Sequence, residues 1–344
     1  MYNTLNLQMV LLAREARALS QAEMATQLGM SATNYSKMER GDIGLPADKV
    51  QDIAEITHFP LNLFYQPGSL LPESLGYRRR HNVPQKILTP INAQLNLLRL
   101  QVQQIQQWLS TPTAQLPTLP NITTIPPQEL AAALRKAWDI TTPVLPNLTN
   151  LLEEQGIIVA AMPWGTQRVD SRFILTENHQ PIMAINKTLL GDRLRFSLAA
   201  YELGHLLMHS FAPINADRDI VHEANAFAAA LLMPEKDIAK DFEQGITIPI
   251  LAQLKTKWKV SMIALLYRAD DLGFLTSNQK RYLLQQFNQL NIRRREPTEL
   301  DIPAENPTLL KHYLAQYRSK TKLGTVELAT LLGMYIDDFM EWYG

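Results

Sequence analysis

A helix with two histidines four residues apart can bind one zinc ion through both imidazoles, and a glutamate between them can act as general base on a zinc-bound water. The stretch LAAYELGHLLMHS, at 198–210, keeps Glu202 and His205 of this arrangement. Tyr201 stands where the first histidine would be. Because a tyrosine phenol is a rare zinc ligand and is longer than an imidazole, the pattern predicts that the first ligand is missing.

Other side chains nearby leave a displaced zinc site open. His209 lies four residues after His205 and so falls on the same face of a helix. Together with His222 or Glu223 these two histidines could surround a metal ion, and Glu202 would then be the general base. The alternative interpretation of His209 is a polar group at the edge or end of its helix.

A different chemistry is indicated by SQAEMATQLGMSATNYSKMERG, at 20–41. Ser20 followed by Glu23 predicts a capping box at the start of a helix. Gly29 can adopt the left-handed conformation that ends this helix and turns the chain into the next one, which Ser31 would cap. The outer face of that second helix carries short polar groups and one cation, which suits a DNA groove. These residues are Ala32, Thr33, Asn34, Ser36 and Lys37.

The stretch closely resembles the DNA-binding domain of the XRE (phage-repressor-like) family, including its S-Q-x-x-x-A start and final E-R-G. The resemblance spans about residues 5–65 and implies binding to a double-stranded DNA operator. It places Ala32, Thr33, Ser36 and Lys37 at base edges in the major groove. It places Gln21, Asn34 and Arg40 near phosphates. A helix pair that only contacts protein is the alternative.

A second resemblance covers about residues 130–270. YELGHLLMH and EANAFAAALLMP are similar to the ImmA/IrrE metallopeptidase-like family, whose typical motifs are H-E-L-G-H-x-x-x-H and E-x-x-A-N-x-F-A-x-x-L-L-M-P. The resemblance implies a zincin-like fold and puts Val221 at the position of the third zinc ligand. Glu223 lies two residues later, about 200° around a helix. Two of three ligands are thus replaced, so we expect no zinc, no catalytic residue, and a cleft lined by Tyr201, Glu202, His205, Val221 and Glu223.

Periodicity and proline place these motifs in separate domains. Five short helices are predicted at Leu7–Leu19, Gln21–Leu28, Ala32–Arg40, Ala47–Thr57 and Leu61–Tyr65. The proline-rich segment 111–128 predicts an extended connector. After it, a strand at Gly156–Met162 and a hairpin in RFILTENHQPIMAIN, at 172–186, predict a small sheet covered by helices. These helices are predicted at Gln128–Trp138, Pro143–Gln155, Arg193–Ser210, Ile220–Leu232, Pro234–Asp241, Ile248–Trp258, Ser261–Leu272 and Ser277–Leu290, with two more in 307–344.

The predicted fold is therefore multidomain: an all-α helix-turn-helix domain, an α+β zincin-like domain and a helical C-terminal segment. We predict domains at 1–70 and 129–275, separated by a junction and linker at 71–128, and a helical region at 276–344. The last region weakly echoes AEMATQLGMS of the N-terminus.

Two features could strengthen DNA binding, since residues 1–65 carry five cationic and seven acidic side chains. One is the basic cluster GYRRRH, at 76–81. The other is a helix predicted over Thr89–Leu109 with an apolar stripe, which could pair with its twin in a homodimer or pack within its own chain. The stripe consists of Ile91, Leu95, Leu98, Val102, Ile105 and Leu109.

Bulk properties bound the remaining choices. Net charge is zero, so no global field favours nucleic acid or membranes, and the absence of cysteine excludes disulfides and thiolate metal sites. With no signal peptide and no long apolar run, a cytoplasmic protein is expected.

We expect a transcriptional regulator, a dimeric repressor, whose degenerate metallopeptidase-like domain responds to a small-molecule or peptide effector, or serves only as a scaffold. The first alternative is a zinc-dependent protease that cleaves a regulatory protein. The second is an antitoxin-like or defence-associated protein-binding regulator.

Overall fold

The N-terminal domain consists of short helices whose starts are encoded locally. The computed structural model describes residues 4–71, 83–111, 113–114, 116–117, 125–210 and 217–344. Its first elements are α1 (Leu7–Ala16), α2 (Gln21–Gln27), α3 (Ala32–Glu39), α4 (Ala47–Thr57) and a 3-10 helix (Leu61–Tyr65). Ser20 and Glu23 form the predicted capping box at α2, and the Ser31 side chain accepts from the Asn34 amide at the start of α3. Their apolar faces share one core.

The long helix α5 (Gln85–Leu109) begins four residues earlier than its pattern predicts and runs through Pro90. Its apolar stripe is between 0% and 8% exposed, because it packs on one face of the sheet and on the C-terminal helices of the same chain. Ala93 and Leu97, on another side of α5, belong to the N-terminal core. Of the two alternatives for this stripe, the structure has the second, packing within its own chain.

The middle of the chain contains a small sheet buried on both faces. α6 (Pro127–Ala137) and α7 (Leu148–Glu154) precede β1 (Ile158–Met162), β2 (Ser171–Leu175) and β3 (Pro181–Asn186). The strand order is β1-β3-β2, with β1 parallel and β2 antiparallel to β3, which confirms the hairpin. Side chains alternate between two cores: Val159 and Met183 face one, whereas Ile158 and Ile182 face the other.

Helices cover each face of this sheet. On one face lies a large apolar core formed with the helices that follow β3. They are α8 (Gly191–Ser197), a π-helical turn (Leu198–Gly204), α9 (His205–His209), α10 (Ile220–Leu232), α11 (Glu235–Phe242), α12 (Ile248–Trp258), α13 (Met262–Asp271) and α14 (Ser277–Gln289). Together with the sheet they form the predicted α+β region.

The other face of the sheet carries α5 and the end of the chain. A short 3-10 helix (Thr298–Leu300) leads to α15 (Leu309–Thr321), α16 (Thr325–Leu331) and α17 (Ile336–Tyr343). The sequence predicts two helices here; the structure has three, because Gly333, at φ +69°, ends α16 and starts a turn. No helix among the described residues is long and apolar enough to span a bilayer.

Candidate functional site

The turn between α2 and α3 has the geometry that its residues predict. Gly29 has φ +66°, and the Met30 amide donates to the Ala25 carbonyl at 3.0 Å. Tyr35 and Met24 are buried beneath it. An L-residue at position 29 would be strained, so glycine keeps the angle between the two helices.

The surface of α3 presents most of the predicted DNA-contacting side chains to solvent. Ala32, Thr33, Asn34, Lys37 and Arg40 are exposed, and Ser36 is half-buried. Two of the seven are engaged inside the chain. The Gln21 amide donates to Glu39 at 2.7 Å, and the Arg40 guanidinium donates to Asp42 at 2.9 Å. Contacts of these two with phosphate would need those bonds to rearrange.

Glu39 fixes the orientation of α3, a role that the sequence does not predict. Its carboxylate accepts two bonds from the Arg14 guanidinium, at 2.6 Å and 3.0 Å, and one from the Tyr35 hydroxyl at 3.0 Å. Burial and the Glu39 charge raise the pKa of Tyr35, so it stays a neutral donor. The spacing of Glu39 four residues after Tyr35 is the signal in the sequence, but the partner on α1 is set only by packing.

The histidine motif lies on one unbroken helical segment, residues 191–209, in which the turn at Leu198–Gly204 is π-helical. Glu202, His205 and His209 are each at most 2% exposed. The Tyr201 ring lies 6.4 Å from the His205 ring, nearly parallel to it. Such π-helical turns frequently occur at functional sites, and the sequence does not predict this one.

His209 links α9 to α10. Its Nδ1 lies 2.8 Å from Nδ1 of His205, and its Nε2 lies 2.9 Å from the Glu223 carboxylate. Because a carboxylate only accepts, His209 donates from Nε2, and its Nδ1 accepts the proton of His205. His209 is the last residue of α9, in keeping with the interpretation of a polar group at the end of its helix, and it is buried between two partners.

Arg218 completes this row of side chains, and the sequence does not predict it. Its guanidinium donates to both oxygens of Glu223, at 2.9 Å and 2.5 Å. This bond lowers the pKa of Glu223, whereas burial lowers the pKa of His209 despite its bond to the carboxylate. At neutral pH the row therefore contains a neutral His209 between His205 and the carboxylate of Glu223, which is paired with the guanidinium of Arg218.

Val221 does not belong to this cluster. Its side chain is 43% exposed, whereas Glu223 on the same helix faces His209. Two residues correspond to about 200° of helix rotation, so both cannot point the same way. The prediction that Val221 lines the cleft is wrong, and Glu223 occupies the position facing the histidines. His222, the other candidate ligand, is exposed.

In the described arrangement, His209 and Glu223 are not placed to bind a zinc ion. Zinc needs a free lone pair from each histidine, but Nδ1 of His209 accepts from His205 and its Nε2 carries the proton donated to Glu223. The guanidinium of Arg218 already neutralises that carboxylate. Among the residues that the structure describes, no three His, Asp or Glu side chains are placed to share a metal ion.

Two parts of the chain match known protein families. Residues 12–64 match the family model of a helix-turn-helix domain. Residues 152–270 match that of peptidase family M78, described as an IrrE N-terminal-like domain. The chain joins these two domains. None of the curated proteins compared matches the chain.

The helix-turn-helix domain includes α2 and α3, and the IrrE-like domain includes Glu202, His205, His209 and Glu223. These matches support a DNA-binding regulator that carries a protease-like domain. The basic cluster at 76–81 lies outside the described residues.

Proposed function

We propose that this chain is a sequence-specific transcription regulator, a repressor, whose IrrE-like domain has lost peptidase activity and acts as a sensor or interaction module. The observation that carries this proposal is the bonded row from His205 through His209 and Glu223 to Arg218. In this row, side chains of the kind that would bind the metal ion in a peptidase form hydrogen bonds to other protein groups. The exposed side chains of α3 are the other part of the chain on which this proposal rests.

Specific DNA binding is supported by the side chains on α3. Thr33, in the first turn of α3, and Lys37, in its last turn, are short or flexible and exposed, which suits hydrogen bonds to base edges. Because acidic residues outnumber cationic ones in residues 1–65, phosphate neutralisation contributes little. Base contacts therefore carry a larger share of the affinity than in a basic domain.

The proposed base contacts of α3 are tested in two steps. A preferred DNA site is first selected from random duplexes, and the affinity of variants of the full chain for that site is then measured. Lys37→Ala and Thr33→Ala should each weaken specific binding by about 1–3 kcal/mol, because each removes a contact to a base edge. The matched control is Gln51→Ala, an exposed change on α4 that should leave affinity unchanged. Full affinity in both α3 variants would contradict the placement of the recognition helix.

The loss of peptidase activity is tested by the metal content of purified chain, measured by mass spectrometry after exposure to zinc. We expect far less than one zinc per chain and no change on substituting His205→Ala, because the lone pairs of His209 are already used. Glu202→Gln should then alter no peptide cleavage. One zinc per chain that is lost in His205→Ala would instead identify a zinc protease.

A sensor also needs a route to the DNA-binding part. The helix α5 contributes Ala93 and Leu97 to the N-terminal core, and Leu98 and Val102 to the core beneath the sheet. A small-molecule or peptide effector that moves the sheet would move α5 with it. Homodimerisation on a palindromic operator stays a prediction, and it needs a surface other than the stripe of α5.

A further inference from the structure

The C-terminal helices repeat the start of the N-terminal domain. Residues of α16 and its turn match those of α2 at one constant spacing in the numbering, the spacing from Gly29 to Gly333. The identical pairs are Glu23 and Glu327, Ala25 and Ala329, Thr26 and Thr330, Leu28 and Leu332, Gly29 and Gly333, and Met30 and Met334. At the same spacing α15 corresponds to α1, and α17 to α3.

Backbone geometry repeats together with the sequence. Gly29 has φ +66° and Gly333 has φ +69°. The hydrogen bond between the Met30 amide and the carbonyl five residues earlier, at 3.0 Å, recurs at Met334 with the same length. The left-handed residue after the first helix also recurs, at Ala18 and Lys322. We name α15–α17 the C-terminal unit; its three helices have the local structure of a helix-turn-helix.

The helix that would read DNA in this unit has the wrong charge for that task. The positions corresponding to Thr33, Asn34 and Lys37 are Asp337, Asp338 and Glu341. Three carboxylates and no cation on one short helix repel phosphates. The C-terminal unit therefore needs a different partner.

That partner is present in the same chain. The last carbonyls of α16, which have no acceptor role within the helix, accept hydrogen bonds from side-chain amides. Asn62 donates to Thr330 at 2.5 Å and Gln66 donates to Leu331 at 3.0 Å. From α5, Gln101 donates to Leu332 at 2.9 Å. Three side-chain amides from two elements, the 3-10 helix with its C-cap residue and α5, thus converge on the end of α16.

Close approach accompanies these bonds. A Cβ on Gly333 would lie 2.8 Å from a terminal methyl group of Leu63, so this glycine, which its positive φ favours, also lets the two surfaces approach closely. The rings of His58 and Tyr335 lie 4.7 Å apart. The contacted surface comprises the end of α4 and the 3-10 helix of the N-terminal domain.

An ion pair closes the interface. The Arg17 guanidinium donates to both oxygens of Asp338, and also to the Thr57 carbonyl at 2.8 Å. The position that corresponds to Asn34 in the DNA-reading helix is thus used to bind protein. Thr33 and Lys37 stay exposed, so this contact leaves the DNA-reading face open.

We propose that the C-terminal unit is a second helix-turn-helix fold that binds protein instead of DNA, with the N-terminal domain of its own chain as the ligand. Its other side packs on α5 and on the sheet of the IrrE-like domain. It holds the DNA-reading face in a fixed orientation relative to that domain. This inference rests on contacts within the chain and not on the proposed function.

The absence of cysteine allows a direct test by spin labels at Gln51→Cys and Val326→Cys, both exposed, with distances measured by pulsed electron paramagnetic resonance. We expect one narrow distance distribution. Asp338→Lys should broaden it, because it places a cation against Arg17. Asp337→Lys, the same charge change at the adjacent exposed residue, should not. If Asp338→Lys fails to fold, Asp338→Asn is measured in its place. An unchanged distribution in the position-338 variant, or equal broadening in both positions, overturns the proposal.

A second readout compares equivalent positions of the two repeats on selected DNA. Lys37→Ala should weaken binding by about 5- to 150-fold, whereas Glu341→Ala should have no effect. Weaker binding by Glu341→Ala would mean that the C-terminal unit reads DNA, which overturns the proposal. The label distances are measured without DNA, so a chain that binds no operator would refute the proposed function and leave this inference standing.

Discussion

At the scale of single residues, the protease-like domain shows how hydrogen bonds can engage side chains of the types that bind metal ions. His209 and Glu223 are residue types that bind zinc, but each is already bonded to a protein group. The proton on Nε2 of His209 and the charge on Arg218 keep these two side chains from binding a metal ion. Neither can be inferred from the spacing of the motif. The sequence predicted a degenerate site from Tyr201, whereas the structure adds Arg218 and removes Val221.

The buried His209 makes stability depend on pH. Burial lowers the pKa of His209 in the folded chain, so as pH falls the unfolded chain binds a proton before the folded chain does. The folded state therefore keeps the contribution of His209 to its stability above the ordinary histidine pKa of about 6.5 and loses it as pH falls below that value. We expect the melting temperature to fall between pH 7 and pH 5, and less steeply in His209→Gln, which cannot be protonated. The matched control, His312→Gln at an exposed histidine, should keep the wild-type slope. A slope unaffected by His209→Gln would contradict the bonded row.

At the scale of elements, local signals and tertiary packing make separate contributions. Ser20, Glu23, Gly29 and Ser31 specify the ends of α2 and α3 through bonds within a few residues, and these ends are predictable. The stripe on α5 specifies only that one face is buried. Whether a twin helix or the sheet covers it depends on chain contacts far apart in sequence. The π-helical turn likewise has no local signature.

The apolar stripe of α5 is buried inside its own chain, and a substitution in it distinguishes this arrangement from a stripe buried between two subunits. Leu98→Ala should lower the free energy of unfolding by about 2–5 kcal/mol, because Leu98 is fully buried against the sheet and the C-terminal helices. It should leave the oligomeric state unchanged, as measured by sedimentation. The control is Gln107→Ala on an exposed position of the same helix. A shift from dimer to monomer in Leu98→Ala would place the stripe between subunits.

At the scale of the whole molecule, zero net charge and an acidic N-terminal domain shape the mode of DNA binding. Such a charge distribution gives weak long-range attraction to DNA, so the specific binding that we propose would depend on a few base contacts presented in a fixed orientation. The contacts of α5 and the C-terminal unit with the N-terminal domain supply that orientation, which a flexible tether between domains would not.

The salt dependence of the DNA affinity measures how much phosphate contacts contribute to binding. Since each neutralised phosphate adds about −0.9 to the slope of log K against log salt, we expect a slope shallower than about −3 for the selected site. Replacing Arg78, Arg79 and Arg80 with alanine should make the slope shallower still, if the basic cluster meets phosphate. The matched control replaces Arg293 and Arg294 with alanine, a basic pair far along the chain. A steep slope in wild-type protein would show that phosphate contacts dominate.

By itself the sequence determined the two domain types, the caps and turn of α2 and α3, the hairpin, and the presence of tyrosine at the position of the motif's first histidine. Each depends on residues within a few positions of one another, or on side-chain chemistry alone. Only the tertiary structure decided that α5 is covered by its own chain, that Glu223 faces His209 in place of Val221, and that the C-terminal unit binds the N-terminal domain. These depend on which surfaces meet after folding, and contacts such as Arg17 with Asp338 join residues at opposite ends of the chain.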